Sequence, residues 1–451
     1  MHLARLRTMV VVVSNHGDAV FRRRPSASTT KPTTYVTPRL SCSCGGSLTN
    51  HHEISGRCVS FEGLVPVIHV TKRCVRKACR RTHCYNYRWQ SGSKYNNVDL
   101  FEIDVLFVTS KLAFEKRFLQ YHCSLQFRGF VSARAIAWAC RDSLLGSGLP
   151  RHWHVNYEDA RFLFTAMSEL EDMRNSGGKD FTRNIQLTNN GGGRGYGMEM
   201  TDTMLSAYSA YLHDNIFPTP MHSRVRELVG DGHEKILTKI CAGDTIPRKG
   251  PISVRGKRKR FSNGWFMLAH PCGRIVAVEQ QFEPENNEVV TRALQKVERS
   301  FPMLDCFIMD RNCKYAPLYK SKFAKIKTWA IDKFHAKKGH GPKCKCSPYN
   351  HRAIMRRLKG INTSVCEQVW SWLRNYASTM NHMSNRRHKF LLFSYVRRHN
   401  DMIAAGDVLH LNPFKATSSV CKRVSKRPTS PGHCAAKRIV GACLKAPAPA
   451  G

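Results

Sequence analysis

Acidic residues are scarce in this chain: 32 Asp and Glu stand against 72 Lys and Arg in 451 residues, a formal net charge of +40. The shortage is greatest from Arg311 to Cys366, where Asp332 is the single acid among 15 Lys or Arg. Charge this one-sided does not determine a fold, but it selects a polyanion as partner, either nucleic acid or an acidic membrane surface. It is spread along segments that read as folded rather than gathered on one amphipathic helix, so nucleic acid is expected and a membrane is not. Long apolar runs are missing too. No segment reaches 18 uninterrupted apolar residues, which excludes a membrane-spanning helix and leads to the expectation of a soluble protein. The run Met9 to Val13 is too short for a secretory core. No internal repeat is visible.

What is present is enough for two or three domains, with 42% hydrophobic residues to build their cores. The 18 cysteines cluster with histidines and basic residues, a pattern that reads as reduced thiols holding zinc rather than as disulfides. Residues 1–38, in which Asp18 is the single acid, read as a disordered basic arm; a transit peptide has the same composition. Residues 39–98 alternate short strand-like runs with cysteines. Residues 99–233 read as helical, with Phe101, Val105, Leu106, Leu112, Phe114, Phe118 and Leu119 at helical spacing and Phe162, Phe164, Met167 and Leu170 continuing it. Within them, the Gly- and Asn-rich stretch from Asn175 to Tyr196 reads as a connector.

From residue 234 the pattern turns to strands. Ile236–Ala242 is expected as one, and Trp265–Ala269 with Arg274–Val278 as a hairpin around Pro271-Cys-Gly273. Glu288–Arg299 is expected as an amphipathic helix, Leu304–Met309 as a buried strand, and Ser364 as the start of a long helix. Strand, hairpin, helix, strand and helix suit an α/β sheet with mixed strands, as in the ribonuclease-H-like fold, over residues 234–411. Residues 412–451 read as a disordered basic tail.

Three acids have positions suited to holding divalent metal for phosphoryl transfer, which needs carboxylates on rigid strand ends and helices. Asp310 closes the buried strand through Cys306-Phe-Ile-Met309; Asp305, which opens that strand, is the weaker competitor. Glu367 lies in the helix whose core stripe is Val365, Val369, Leu373, Tyr376 and Met380, about 200° around from Val365. Ser364-x-x-Glu367 is equally a capping box, in which the Glu would serve only the helix end. Asp244, in Gly243-Asp-Thr245 after the expected strand, is the third; a plain Gly-Asp turn explains it as well.

Two groups of soft ligands stand out. Cys42-x-Cys44 and Cys74-x4-Cys79, with Cys58 and His83-Cys84 nearby, can close a tetrahedral zinc site. Around them lie Arg73, Arg80 and Arg81, interleaved with Tyr85, Tyr87 and Trp89, a mixture suited to phosphate contact and base stacking. The second group is Asp332, His335, His340, Cys344, Cys346 and His351, of which His340, Cys344 and Cys346 are the candidate zinc ligands. Lys257-Arg258-Lys-Arg260 reads as a nuclear-localisation signal or a DNA-contacting loop, and Lys337 and Lys338 as phosphate contacts.

Asp310-Arg-Asn-Cys313, Asp332-Lys-Phe-His335 and Asn362-Thr-Ser-Val-Cys-Glu367-Gln together resemble the motifs of the Kyakuja–Dileera–Zisupton transposases with their associated cysteine cluster. The similarity is good from Leu304 to Arg398 and loose from Cys42 to Asn400. It implies a ribonuclease-H-like catalytic core in which Asp244, Asp310 and Glu367 form an Asp-Asp-Glu triad holding Mg²⁺ or Mn²⁺. Asp332 and His335 would be its C/D-x-x-H pair, with a structural or strand-positioning role. The expected activity is cutting and joining double-stranded DNA, in the nucleus and within a homo-oligomeric complex. Asp244-Thr-Ile-Pro departs from the family pattern, in which an aromatic is expected. That departure supports the alternative of a catalytically inactive, domesticated zinc-dependent DNA-binding protein; an RNA-directed nuclease of the same fold is a third reading.

Overall fold

The structure is a computed structural model describing residues 11–13, 19–21, 31–145, 153–182, 185–189, 196–198, 200–215, 224–239, 262–282, 286–341 and 343–406. Its architecture is mixed α/β. β1 (Val11–Val13) and β2 (Ala19–Phe21) form a short antiparallel ladder. β3 (Thr33–Val36), expected within a disordered arm, instead pairs parallel with β5 (Gly63–Cys74). It is held there by Tyr35, whose ring meets Tyr85 and Phe107 edge-on at 5.3 and 5.8 Å.

β4 (Leu48–Ser60) and β5 make a long hairpin, followed by β6 (Thr82–His83), β7 (Tyr87–Gln90) and β8 (Ser93–Asn96). β9 (Val105–Phe107) and β10 (Leu112–Glu115) extend the sheet on its other side, β10 lying parallel to β4. The helical spacing expected through Val105, Leu106, Leu112 and Phe114 is therefore wrong. These strands are buried on both faces, so their apolar residues run consecutively and period 2 disappears. Beyond one 3₁₀ turn at Leu100–Glu102, the α-helices are α1 (Lys116–Gly129), α2 (Ala133–Cys140), α3 (Trp153–Asn175) and α4 (Asp202–Asp214) among the described residues of this part. The expected Gly/Asn-rich connector is framed by β11 (Gln186–Asn189) and β12 (Tyr196–Met198), an antiparallel pair that joins the same curled sheet beside β8.

The second sheet has the order β15-β14-β13-β16-β17. β13 (Glu227–His233), β14 (Trp265–Ala269) and β15 (Ile275–Gln280) form an antiparallel meander. β16 (Cys306–Ile308) and β17 (Thr328–Ala330) follow on the other side, both parallel to β13. The strand expected at Ile236–Ala242 thus lies earlier, at β13; Ile236 is buried in the loop after it. Between and after the strands come α5 (Asn287–Glu298), α6 (Asn312–Tyr319), α7 (Lys333–Gly339), α8 (Arg352–Arg357), α9 (Val365–Leu373), α10 (Ala377–Met380) and α11 (Asn385–Ala405).

Alternation along the strands divides the apolar residues into two layers. Leu228 and Phe307 pack with Val289, Val290 and Leu294 of α5. Val229, Ile308 and Ala330 face the other way, toward Val365, Val369 and Leu373 of α9 and Leu392 and Val396 of α11. α11 also serves the first core, to which it gives Phe390 and Leu391. Its polar side is fastened there: Arg387 meets Asp159 at 3.0 Å, and Arg397 reaches Asp172 at 2.8 Å and the buried Glu169. Glu169 also accepts hydrogen bonds from Ser394 and Tyr208, both at 2.7 Å.

Candidate active site and cysteine clusters

The three parallel strands of the second sheet end in acids at one level. The ladders pair Val229 with Ile308 and Ile308 with Ala330. Two residues beyond each partner stand Asp231, Asp310 and Asp332. Side chains two apart on a strand share a face, so all three leave the sheet on the side where α9 packs. Glu367, in the first turn of α9, completes the set. Asp231, Asp310, Asp332, His335 and Glu367 line one small cleft, floored by Val229, Gly230, Met309 and Cys366.

Local structure fixes each group. Gly230 is required because a Cβ there would meet the rings of Phe266 and Phe307 at 2.8 and 3.0 Å. Cys366 Sγ donates to Val229 O at 3.1 Å, and Trp370 Nε1 donates to Asp231 O at 3.3 Å, seating α9 against β13. The fully buried Asn312 donates to both Phe307 O and Ala330 O at 2.8 Å, clamping the ends of β16 and β17 on either side of Asp310. Lys333 N donates to Thr363 Oγ1 at 3.1 Å, joining the start of α7 to the loop before α9.

Asp332 is the N-cap of α7. Its Oδ1 accepts from Phe334 N and His335 N at 2.8 and 3.0 Å, while Oδ2 accepts from His335 Nδ1 at 2.6 Å. That bond fixes the imidazole with Nε2 facing Glu367 Oε1, 3.9 Å away. The capping-box alternative for Glu367 is not realised: Ser364 makes no side-chain cap, and the Glu367 side chain is 52% exposed toward the cleft. Asp310 Oδ1 is buried without a hydrogen-bond partner. Burial raises the Asp310 pKa and Asp332 adds to it, against the lowering effects of His335 and Arg311.

Of the other residues singled out from sequence, Asp244, Lys257, Arg258 and Arg260 lie outside the described residues, as does the side chain of Lys338. Asp305 is occupied elsewhere, bonded to Arg226 and, at 2.7 Å, to Arg357. Asp231 is the residue that sequence reading missed. Its strand, Glu227-Leu-Val-Gly-Asp-Gly-His233, carries two glycines that break the apolar run by which a strand is recognised.

In the first sheet, Cys42, Cys44, Cys74 and Cys79 bring their Sγ atoms within 4.8 Å of one another. Cys42 and Cys79 are 3.6 Å apart and Cys44 and Cys74 3.5 Å, near the about 3.8 Å edge of a tetrahedron with Zn–S bonds of about 2.3 Å. All four are free thiols, and the set could bind a metal such as zinc. The turn that presents Cys42 and Cys44 depends on two glycines. Gly45 has φ +82°, and a Cβ on Gly46 would sit 2.8 Å from Cys74 Sγ. Backbone hydrogen bonding at Gly46 draws the Cys44 thiol down to about 6, while burial pushes the Cys74 thiol up to about 12 and raises that of Cys79. His83 Nε2 lies 3.4 Å from Cys42 Sγ. Arg76, Lys77 and Arg80 are exposed around the cluster, with Arg73 and Arg81 half-buried. Tyr85 and Tyr87 do not interleave with them: both are buried in the first core, and Trp89 is half-buried against Lys94 at 4.7 Å, which removes the expected stacking surface.

The second cluster differs from its expected composition. Cys313, at the start of α6, joins His340 and Cys344 with ligand atoms within 4.8 Å, while Cys346 is buried beside them. Comparison of the chain with family models, with curated proteins and with solved structures finds no match.

Proposed function

We propose that the chain is a DNA transposase of the Asp-Asp-Glu type, with Asp231, Asp310 and Glu367 as its triad. The observation that carries the reading is the convergence of these acids, from three separate elements, on one cleft. The sheet supports it, because an antiparallel meander continued by two strands parallel to its first member is the arrangement expected of a ribonuclease-H-like core. The first acid in this reading is Asp231 rather than Asp244, so the sequence departure around Asp244 no longer argues for an inactive protein.

The donor set suits a hard divalent cation. A buried carboxylate oxygen with no hydrogen-bond partner, on Asp310, shares the cleft with two further carboxylates; the three do not stand within 4.8 Å of one another, so an ion would have to draw them together. Asp231, Asp310 and Glu367 would hold Mg²⁺ or Mn²⁺, which when bound supplies the charge that activates an attacking oxygen and stabilises a leaving one. The Asp332–His335 pair positions Glu367 from behind, His335 Nε2 presenting one fixed edge to the carboxylate. Exposed Lys337, Lys359 and Arg374 would bear on backbone phosphates of double-stranded DNA. In the cut, a water oxygen bonds to phosphorus as the bond to the 3′-oxygen breaks; in the joining step, that freed 3′-hydroxyl bonds to a target phosphorus and displaces the target's own 3′-oxygen. The four-thiol cluster would hold Zn²⁺ and offer Arg76, Lys77 and Arg80 to the element's DNA. In a cell with a nucleus, work on chromosomal DNA would require nuclear residence, and synapsis of two ends would call for a homo-oligomer.

Nicking of supercoiled plasmid in Mg²⁺ or Mn²⁺ tests this. Wild type should nick, and Asp310→Asn and Glu367→Gln should not while still binding DNA. Binding without nicking in either metal would instead favour the inactive DNA-binding protein.

A further inference from the structure

We infer that Cys313, His340, Cys344 and Cys346 form a second, structural zinc site that ties the two acid-bearing segments of the cleft together. His340 Nδ1 lies 3.8 Å from Cys313 Sγ and 3.6 Å from Cys344 Sγ. A zinc ion with bonds of about 2.3 Å to sulfur and about 2.05 Å to nitrogen sets tetrahedral ligands roughly 3.6 Å apart, so the three groups already stand at coordination distance. Cys346 lies beside this group with its Sγ outside the 4.8 Å set, and would supply the fourth position by turning toward the ion. It is buried in a small cluster with Ile331 and Ala336, against which Cys313 and Cys344 pack. The loop that presents these ligands is shaped for it. Cys344 N donates to Gly341 O at 3.1 Å, and Asn350 Nδ2 ties Gly341 O and Cys344 O together. Cys346 O then accepts from Ile331 N at 3.0 Å, pinning the loop to the residue before Asp332. None of these cysteines is in a disulfide. A donor set of thiolates with one imidazole is that of a structural zinc site rather than a hydrolytic one.

The connections explain what the ion would do. Cys313 lies three residues after Asp310 and one after Asn312, the clamp of β16 and β17. His340 follows α7, whose N-cap is Asp332 and whose first turn carries His335. A metal joining α6 to the far end of α7 therefore closes a rigid triangle behind the cleft. Its presence rests on these residues alone; only its influence on DNA cleavage rests on the proposed function.

The test is the zinc content of the purified full-length chain. Wild type should carry two ions, and Cys44→Ala and Cys344→Ala one each. With Co²⁺ substituted, the site left in Cys44→Ala should absorb at shorter wavelength than the four-thiolate site left in Cys344→Ala. Since Cys344→Ala can fail to fold, thiol alkylation of the unmutated chain gives an independent reading: Cys313 and Cys344 should be protected with zinc and modified after chelation. One ion in wild type, lost in Cys44→Ala and kept in Cys344→Ala, would overturn the site, as would equal alkylation of Cys313 and Cys344 with and without zinc. Two ions in a chain that never nicks DNA would leave this site standing and remove the transposase reading.

Discussion

Asp231 and Asp310 stand at the same level of two adjacent parallel strands, each two residues past the Val229–Ile308 pair. Neighbouring strands lie about 4.8 Å apart, so equal level brings both carboxylates to one end of the same cleft. The β-ladder sets the level, and the turn after β16 that carries Asp310 is fastened to it by Asn312.

The first prediction follows from that level. Asp231→Asn, Asp310→Asn and Glu367→Gln should each lower divalent-dependent plasmid nicking on the order of 1,000-fold, the scale of removing one metal-holding carboxylate. Asp244→Asn should nick within about 3-fold of wild type. Rate measurements on the four variants decide between the two aspartates, and a dead Asp244→Asn beside an active Asp231→Asn would reverse the assignment.

Much of this site was legible in the sequence, for reasons that show why Asp231 was not. Asp310 follows four apolar residues in a row, and Glu367 sits off a clear helical stripe; both signals are local. Asp231 is recognisable only through its strand, and that strand spends Gly230 on ring packing against Phe266 and Phe307. The same limit applies to β9 and β10, whose burial on both faces imitates a helix in one dimension. Cys313 was quoted only as the end of the Asp310 motif, because its partners His340 and Cys344 lie 27 and 31 positions onward and meet it only once α6 and α7 are packed.

A second prediction concerns pH. The Asp310 carboxyl has its folded pKa raised above the ordinary 3.8, so the folded state holds that proton more tightly than the unfolded chain. Its contribution to stability is then largest below 3.8 and is lost as pH rises through the folded value. Under the proposed function a divalent ion would replace the proton and reverse the trend. Thermal unfolding followed from pH 4 to 8 should show Mg²⁺ raising Tm increasingly as pH rises, with the increment absent in Asp310→Asn.

Third, Gly46→Ala should empty the four-thiol cluster, since the added methyl would stand 2.8 Å from Cys74 Sγ in a turn with no slack. Zinc content should fall by one ion per chain, and DNA binding should weaken while nicking of bound DNA persists.

Fourth, Glu169→Gln should destabilise the fold by about 2 kcal/mol, because the half-buried Arg397 keeps Asp172 but loses its charged, hydrogen-bonded partner in the core. Burial raises the Glu169 pKa, but Arg397 and Arg398 more than offset it, so the folded value lies below the ordinary 4.5. Its stabilisation is therefore full above 4.5 and is lost as pH falls through the folded value. Urea denaturation of wild type and variant at neutral pH and at pH 3 should show the difference shrinking on acidification.

α11 places Phe390 and Leu391 in one core and Leu392, Tyr395 and Val396 in the other within seven consecutive residues. A helix shared in this way cannot hinge between them without exposing both. DNA gripped at the thiol cluster would consequently reach the carboxylate cleft at a set distance along its length. Under the proposed function the fold would act as a gauge, and the offset between the recognised sequence and the cut would be a constant of the protein rather than a choice made at each site.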